Sequence, residues 1–134
     1  MLKYLLDSKI VIYTLKNRPA KVRQAFIANS GQMAMSSVTL MELIYGCEKS
    51  ADPARNQREV EGLAARLDVL PFDDAAAIQT GQIRAELAKV GKPIGPYDFM
   101  IAGHARSQGL ILVSNNLQEF KRVAGLRLEN WARA

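Results

Sequence analysis

The sequence predicts an α/β domain, a mostly parallel β-sheet flanked by helices on both faces. Three observations lead there. Short apolar runs of strand length alternate with stretches of helical spacing along the whole chain, the order that builds strand–helix–strand units. Leu110-Ile111-Leu112-Val113 is apolar at every position, as expected of a strand buried on both faces of a parallel sheet. Capping and helix-ending residues stand at the joints. At 134 residues, 49% of them apolar, the chain is expected to be one domain, 1–134, with a core of its own.

Lys3 to Leu6 reads as a short buried strand ending at Asp7. Ile10 to Leu15 reads as a helix stopped by Pro19, and a second helix runs from about Ala20 to Ala28, ended by Asn29-Ser30-Gly31. Met33 to Met35 is a short strand. Ser36-Ser37 supplies the cap for a helix reaching about Lys49. Pro53 opens a helix to about Leu67. Val69-Leu70-Pro71-Phe72 reads as an edge strand, because Pro has no N–H for a ladder. Asp73-Asp74 caps a helix from Ala75 to about Val90, ended by Gly91. Pro96 opens another to Gln108, stopped by Gly109. After the apolar strand, Asn115-Asn116 turns the chain into a short helix around Phe120. Leu126-Arg127-Leu128 is the last strand, before Trp131. Ligands of such sheets gather at the carboxyl ends of the strands. Asp7 and Ser114-Asn115-Asn116 both fall there.

Composition excludes several classes. The longest apolar runs are far too short to span a bilayer, so no membrane role is expected. The first apolar stretch stops at Asp7, which argues against a signal peptide. Cys47 is the only cysteine and His104 the only histidine. No internal disulfide is possible, and a zinc site is disfavoured. No glycine-rich phosphate loop is present. The cytoplasm is the expected compartment. The net charge is +5, and Lys3, Lys9, Lys16, Arg18, Lys21 and Arg23 crowd the first part of the chain. That excess favours a nucleic acid or an acidic protein partner, the plain alternative being a solvated helix face.

Three carboxylates lie in apolar settings: Asp7 after Tyr4-Leu5-Leu6, Glu42 inside Val38 to Ile44, and Asp98 inside Gly95 to Ala102. A charge beside a core is costly unless paired or bound to a cation. If the three converge, they suit a hard, oxygen-seeking ion such as Mg²⁺ or Mn²⁺. Each has an ordinary explanation too. Asp7 can be a helix cap. Asp98, in the first turn after Pro96, can serve the helix dipole. Glu42 falls with Thr39, Gly46 and Lys49 on a narrow polar stripe, which can simply face solvent. Gly46 inside a helix costs about 1 kcal/mol relative to Ala, which points to close approach of a backbone or a ligand. His104, without a second acid–base partner, reads as structural.

Four segments in order resemble the PIN-domain ribonucleases of the VapC toxin type. They are Leu5-Leu6-Asp7-Ser8-Lys9-Ile10-Val11-Ile12-Tyr13, Ser36 through Gly46, Pro96 through Ala105, and Leu112-Val113-Ser114-Asn115-Asn116-Leu117-Gln118-Glu119-Phe120. The resemblance covers nearly the whole chain and implies a PIN-like sheet. It implies that Asp7, Glu42 and Asp98 are catalytic acids, with Asp7 and Asp98 as metal ligands. Asn116 matches a fourth catalytic position, Ser114 a supporting hydroxyl, and Glu119 is a further acid nearby. It also implies one or two Mg²⁺ (or Mn²⁺) ions, homodimers, and cleavage of structured RNA, tRNA above all, to inhibit translation. The implied partner is a cognate antitoxin whose tail blocks the active site. DNA is reached only through that complex. Lys9 departs from the family, which usually has Asn or another small polar residue there. An ammonium two residues beyond Asp7 can compete with a cation for the acids. The alternative expectation is therefore a catalytically weakened PIN-fold module that binds RNA or antitoxin without efficient cleavage.

Overall fold

Each strand begins where a run of apolar residues can be buried on two sides at once. In the computed structural model, which describes residues 1–132, Tyr4–Leu6 forms β1, Met33–Ser36 β2, Asp68–Leu70 β3, Ile111–Val113 β4 and Leu128–Glu129 β5. They make one sheet in the order β3-β2-β1-β4-β5, and every pairing is parallel. Side chains alternate across the sheet. Tyr4, Leu6, Met33, Met35, Ile111 and Val113 enter one core. Leu5, Ala34 and Leu112 enter the other. This double burial explains why the central strands are apolar without alternation.

Among the described residues seven helices cover the two faces: α1 Ser8–Lys16, α2 Ala20–Ala28, α3 Ser37–Glu48, α4 Pro53–Ala64, α5 Asp74–Lys89, α6 Pro96–Gln108 and the single turn α7 Leu117–Phe120. The first core takes Ile10 and Val11 from α1, Val22 and Phe26 from α2, and Val60 and Leu63 from α4. The second takes Ile83 and Leu87 from α5, Phe99, Ile101, Ala102 and Ala105 from α6, and Phe120. Each such side chain, fully buried, contributes about 1.5–3 kcal/mol if it is Val, Leu, Ile or Phe. Helices α5 and α6 approach so closely that a Cβ on Gly103 would lie 2.1 Å from Thr80 Oγ1 and 2.7 Å from the Thr80 nitrogen.

The caps stand where the side chains can reach them. Asp7, Ser36, Asp52 and Asp73 each accept a backbone N–H at the start of α1, α3, α4 and α5, and Gly109 closes α6 in a left-handed conformation. Helix and strand ends differ from the sequence reading by one to three residues. α1 starts at Ser8 because Asp7 is its cap. α4 stops at Ala64 rather than Leu67. β3 ends at Leu70 because Pro71 has no ladder donor, and Phe72 donates instead to Ser37 Oγ, 3.0 Å. The last strand is Leu128–Glu129 rather than Leu126 to Leu128. Among the described residues no helix is long and apolar enough to cross a membrane.

β1 stands at the centre. The chain runs outward through β2 and β3, then returns to the other side as β4 and β5. The direction of travel reverses between β1 and β4, and that switch point opens a crevice at the strands' carboxyl ends.

Candidate active site

The crevice is lined by side chains from four places in the sequence. Asp7, Ser8 and Lys9 follow β1, Glu42 comes from α3, Asp98 and Ile101 come from α6, and Asn115 and Asn116 follow β4. Together they enclose a cleft of about 390 Å³. Its position follows from the fold. β1 and β4 pair side by side, with the Asp7 amide on the Val113 carbonyl at 3.1 Å. Helix α3 starts immediately after β2, and α6 presents its first turn to the same end of the sheet.

Asp7 both caps α1 and charges the cleft. Its Oδ1 accepts the Ile10 N–H at 3.0 Å. Burial pushes its carboxyl up, while hydrogen bonds from the buried Ser114 hydroxyl and the α1 backbone, and the charge of Lys9, pull it back. Ser114 Oγ also accepts the Asn116 N–H at 2.9 Å, so one hydroxyl links the β1 and β4 sides. Burial raises Glu42, and the like charge of Asp7 raises it further. Asp98 is raised from an ordinary 3.8 to about 7. Burial is the largest cause, then a hydrogen bond shared with Glu119 and the charges of Glu119, Asp7 and Glu42. The three acids therefore feel one another, as like charges in a shared site must.

Asn116 Nδ2 donates to Glu119 Oε2 at 3.2 Å, which ties Glu119 into the cluster beside Asp98. Lys9 is exposed at the cleft mouth. It is near enough to favour ionised Asp7, yet it forms no ion pair with an acid among the described residues. The other basic residues of the first segment are solvated or partly so. Lys16 and Arg23 reach two grooves between α1, α2, α3 and α4.

The polar stripe on α3 needs correction. Thr39 is fully buried and its hydroxyl has no partner among the described residues, whereas Met41 and Tyr45 are exposed. Packing of α3 against β2, α4 and α6 turns the helix so that Glu42 stays half-buried at the cleft while Met41 and Tyr45 face out. No neighbour lies within 4 Å of a Cβ built on Gly46, so no close backbone approach explains it. Gly46 instead lines a largely apolar groove of about 260 Å³ that also includes Glu42. His104 is structural in its contacts: it is fully buried, with Nδ1 2.8 Å from Ser36 Oγ and its ring edge-on to Phe72.

The sequence placed Asn115 at the strand end without giving it a role, and did not single out Ser8. Asn115 lines the cleft and donates Nδ2 to Tyr13 Oη at 2.8 Å. Ser8 lines it as well. Asn115 sits between two residues already singled out, so its place after β4 was a usable signal. Its partnership with Tyr13, 102 residues away, was not.

The cleft offers carboxylates, amides and a hydroxyl, and no His or Cys. That donor set suits a hard divalent cation, and a cation there would relieve the crowding that holds Asp98 up. Among the described residues, no three acids, His or Cys already close on one point as ligands. Mg²⁺ keeps several waters and uses one or two carboxylates together with substrate phosphate oxygens, so this open arrangement fits it.

A family model described as "PIN domain" matches residues 4–126. The chain is 62% identical to "tRNA(fMet)-specific endonuclease VapC" of Shigella flexneri, over 98% of this chain and all of that one. It is 58% identical to the protein of the same name from Salmonella typhimurium, over 98% of this chain and 99% of that one. Its fold superposes with a TM-score of 0.94 on a chain of the DNA-bound VapBC crystal structure from Salmonella typhimurium, at 58% identity, covering 98% of this chain and 99% of that chain.

Proposed function

Because the chain belongs to the VapC ribonucleases of the PIN-domain family, we propose that it is the toxin of a type II toxin–antitoxin pair. In this reading the whole chain, 1–134, is one PIN domain working in the cytoplasm as a homodimer. It is a Mg²⁺- or Mn²⁺-dependent endoribonuclease that cuts structured RNA and so inhibits translation. The names of its relatives point to initiator tRNA as the substrate. The observation that carries the proposal is the meeting of Asp7, Glu42 and Asp98, from three separate elements, in one cleft at the switch point.

Asp7 and Asp98 would hold the cation, with Glu42 and Asn116 as the other catalytic residues. When bound, the cation would supply Lewis-acid stabilisation to the phosphoryl group under attack and to the oxygen that leaves it. The chain's own residues prepare the site. Ser114 orients Asp7 through its hydroxyl and fixes the Asn116 backbone. Asn116 holds Glu119 against Asp98. Burial and the neighbouring acids raise the Asp98 carboxyl to about 7, so a proton and a cation would compete for it. The cognate antitoxin, through which alone the chain would reach DNA, blocks the cleft by placing an Arg or Lys against the acids, a fork-shaped Arg suiting carboxylates best.

Induction of the chain in growing cells tests this. Incorporation of labelled amino acids should fall within minutes, initiator tRNA should appear as two fragments, and co-expression of the adjacent antitoxin gene should restore both. Arrest of growth with intact RNA would reject the reading.

A second reading is favoured by Lys9, whose charge already acts on Asp7. Here metal affinity and cleavage are weakened while binding of RNA or antitoxin persists.

A further inference from the structure

A second polar pocket, of about 530 Å³, is lined by the α5–α6 loop and by residues at and just after α7. Gly91, Lys92 and Pro93 form one wall, and Gln118, Lys121 and Arg122 the other. We propose that this pocket grips the phosphodiester backbone of the RNA substrate next to the scissile bond. The proposal rests on the ribonuclease reading above.

Three observations carry it. The first is charge. Three cations line the pocket, and among its described lining residues there is no carboxylate. Neither Lys92 nor Lys121 forms an ion pair among the described residues. The lysines are not consumed as helix caps either. The last carbonyls of α5, on Leu87 and Ala88, already accept the backbone N–H groups of Lys92 and Gly91 at 3.0 and 3.1 Å. The second is construction. Arg122 donates to the Pro93 carbonyl at 3.1 Å, which clamps the two walls together and holds one guanidinium in place. Gly91, at φ +66, makes the turn that starts the first wall.

The third is position. Both walls lead directly into the acid cleft. The 91–95 loop opens α6, where Asp98 lies in the first turn, and a Cβ on Gly95 would sit 3.4 Å from Asp98 Oδ2. α7 begins right after Asn116 and carries Glu119, the partner of Asp98. Lys121 is about 7.5 Å along a helical path from Asn116, and Lys92 is at most about 20 Å of chain from Asp98. A single-stranded RNA segment of several nucleotides covers such distances. One RNA strand can therefore lie in the cleft and the pocket together. Cations placed in this way set register and affinity without reading sequence.

The test is steady-state cleavage of an initiator tRNA transcript by the Lys92→Glu/Lys121→Glu protein at several salt concentrations. A charge-matched control, Arg55→Glu/Arg58→Glu, alters α4. The pocket variant should raise KM at least tenfold and leave kcat within twofold. Its log–log salt slope should be shallower by about 2, close to one per lost phosphate contact. The control should change KM less than threefold. Lys92→Ala/Lys121→Ala, with an unchanged melting temperature, should show the same pattern at smaller size. Unchanged KM and slope in the pocket variant, or an equal loss in the control, overturns the proposal and leaves the pocket to an acidic protein segment. If the parent protein cuts no RNA, the nuclease reading fails separately. Anisotropy of the same transcript in EDTA then decides the pocket: tenfold weaker binding by the variant supports it, and equal binding overturns it.

Discussion

Asp98→Asn removes the most crowded charge in the cleft and keeps the side chain's shape. An Asp titrating near 7 instead of 3.8 carries about 4 kcal/mol of penalty once ionised. Asp98 is partly exposed, so solvent screening reduces this to about 1–2 kcal/mol. The sign follows from proton binding. Below pH 4 both folded and unfolded chains hold the proton, and there is no cost. Between pH 4 and 7 the unfolded chain releases it first, so folded stability falls as pH rises. Above 7 the full cost is present. Urea denaturation in EDTA should therefore find the variant equal to the parent near pH 4 and about 1–2 kcal/mol more stable at pH 8, with cleavage abolished. Mg²⁺ should stabilise the parent and barely affect the variant. A variant that is less stable than the parent at pH 8 would refute the reasoning and make Asp98 a structural cap of α6.

Other perturbations have equally definite outcomes. Ser114→Ala removes a hydrogen bond that lowers the Asp7 pKa, so the acid limb of the pH–rate profile should move to higher pH and cleavage should drop about tenfold; an unmoved limb would separate Ser114 from Asp7. Lys9→Asn removes an exposed positive charge beside Asp7, and a surface interaction of about 0.5–1 kcal/mol should appear as about 2–5-fold tighter Mn²⁺ binding by calorimetry, with faster cleavage; unchanged affinity would leave Lys9 facing solvent or RNA. Gly103→Ala drives a methyl into the Thr80 backbone and should cost about 1–3 kcal/mol in urea denaturation, whereas a cost under 0.5 kcal/mol would show that α5 and α6 can part easily.

Local chemistry made most of the fold legible. Asp7, Ser36 and Asp73 cap helices because a short acceptor side chain precedes an apolar-periodic run, and Gly109 ends α6 because it tolerates positive φ. Leu110 to Val113 could be read as a buried parallel strand because nothing in it alternates. What failed depended on tertiary packing. Thr39 looked like part of a solvent stripe, and only the docking of α3 buries its hydroxyl. The same docking leaves Met41 and Tyr45 exposed. At the site, the acids announced themselves by sitting in apolar runs. Of the contacts that orient them, Ser114 with Asp7 is made by the β1–β4 pairing and Glu119 with Asp98 by the packing of α7 beside α6, and no local pattern encodes either. The Ser36–His104 contact, 68 residues apart, was hidden for the same reason.

The central claim is that the three acids form a metal-dependent RNA-cutting centre. Its most direct measurement is cleavage of purified initiator tRNA transcript by the parent chain in Mg²⁺, the parent chain in EDTA, and folded Asp98→Asn in Mg²⁺. Discrete fragments are expected in the first case alone. Cleavage that persists in EDTA, or in the folded Asp98→Asn protein, would contradict it.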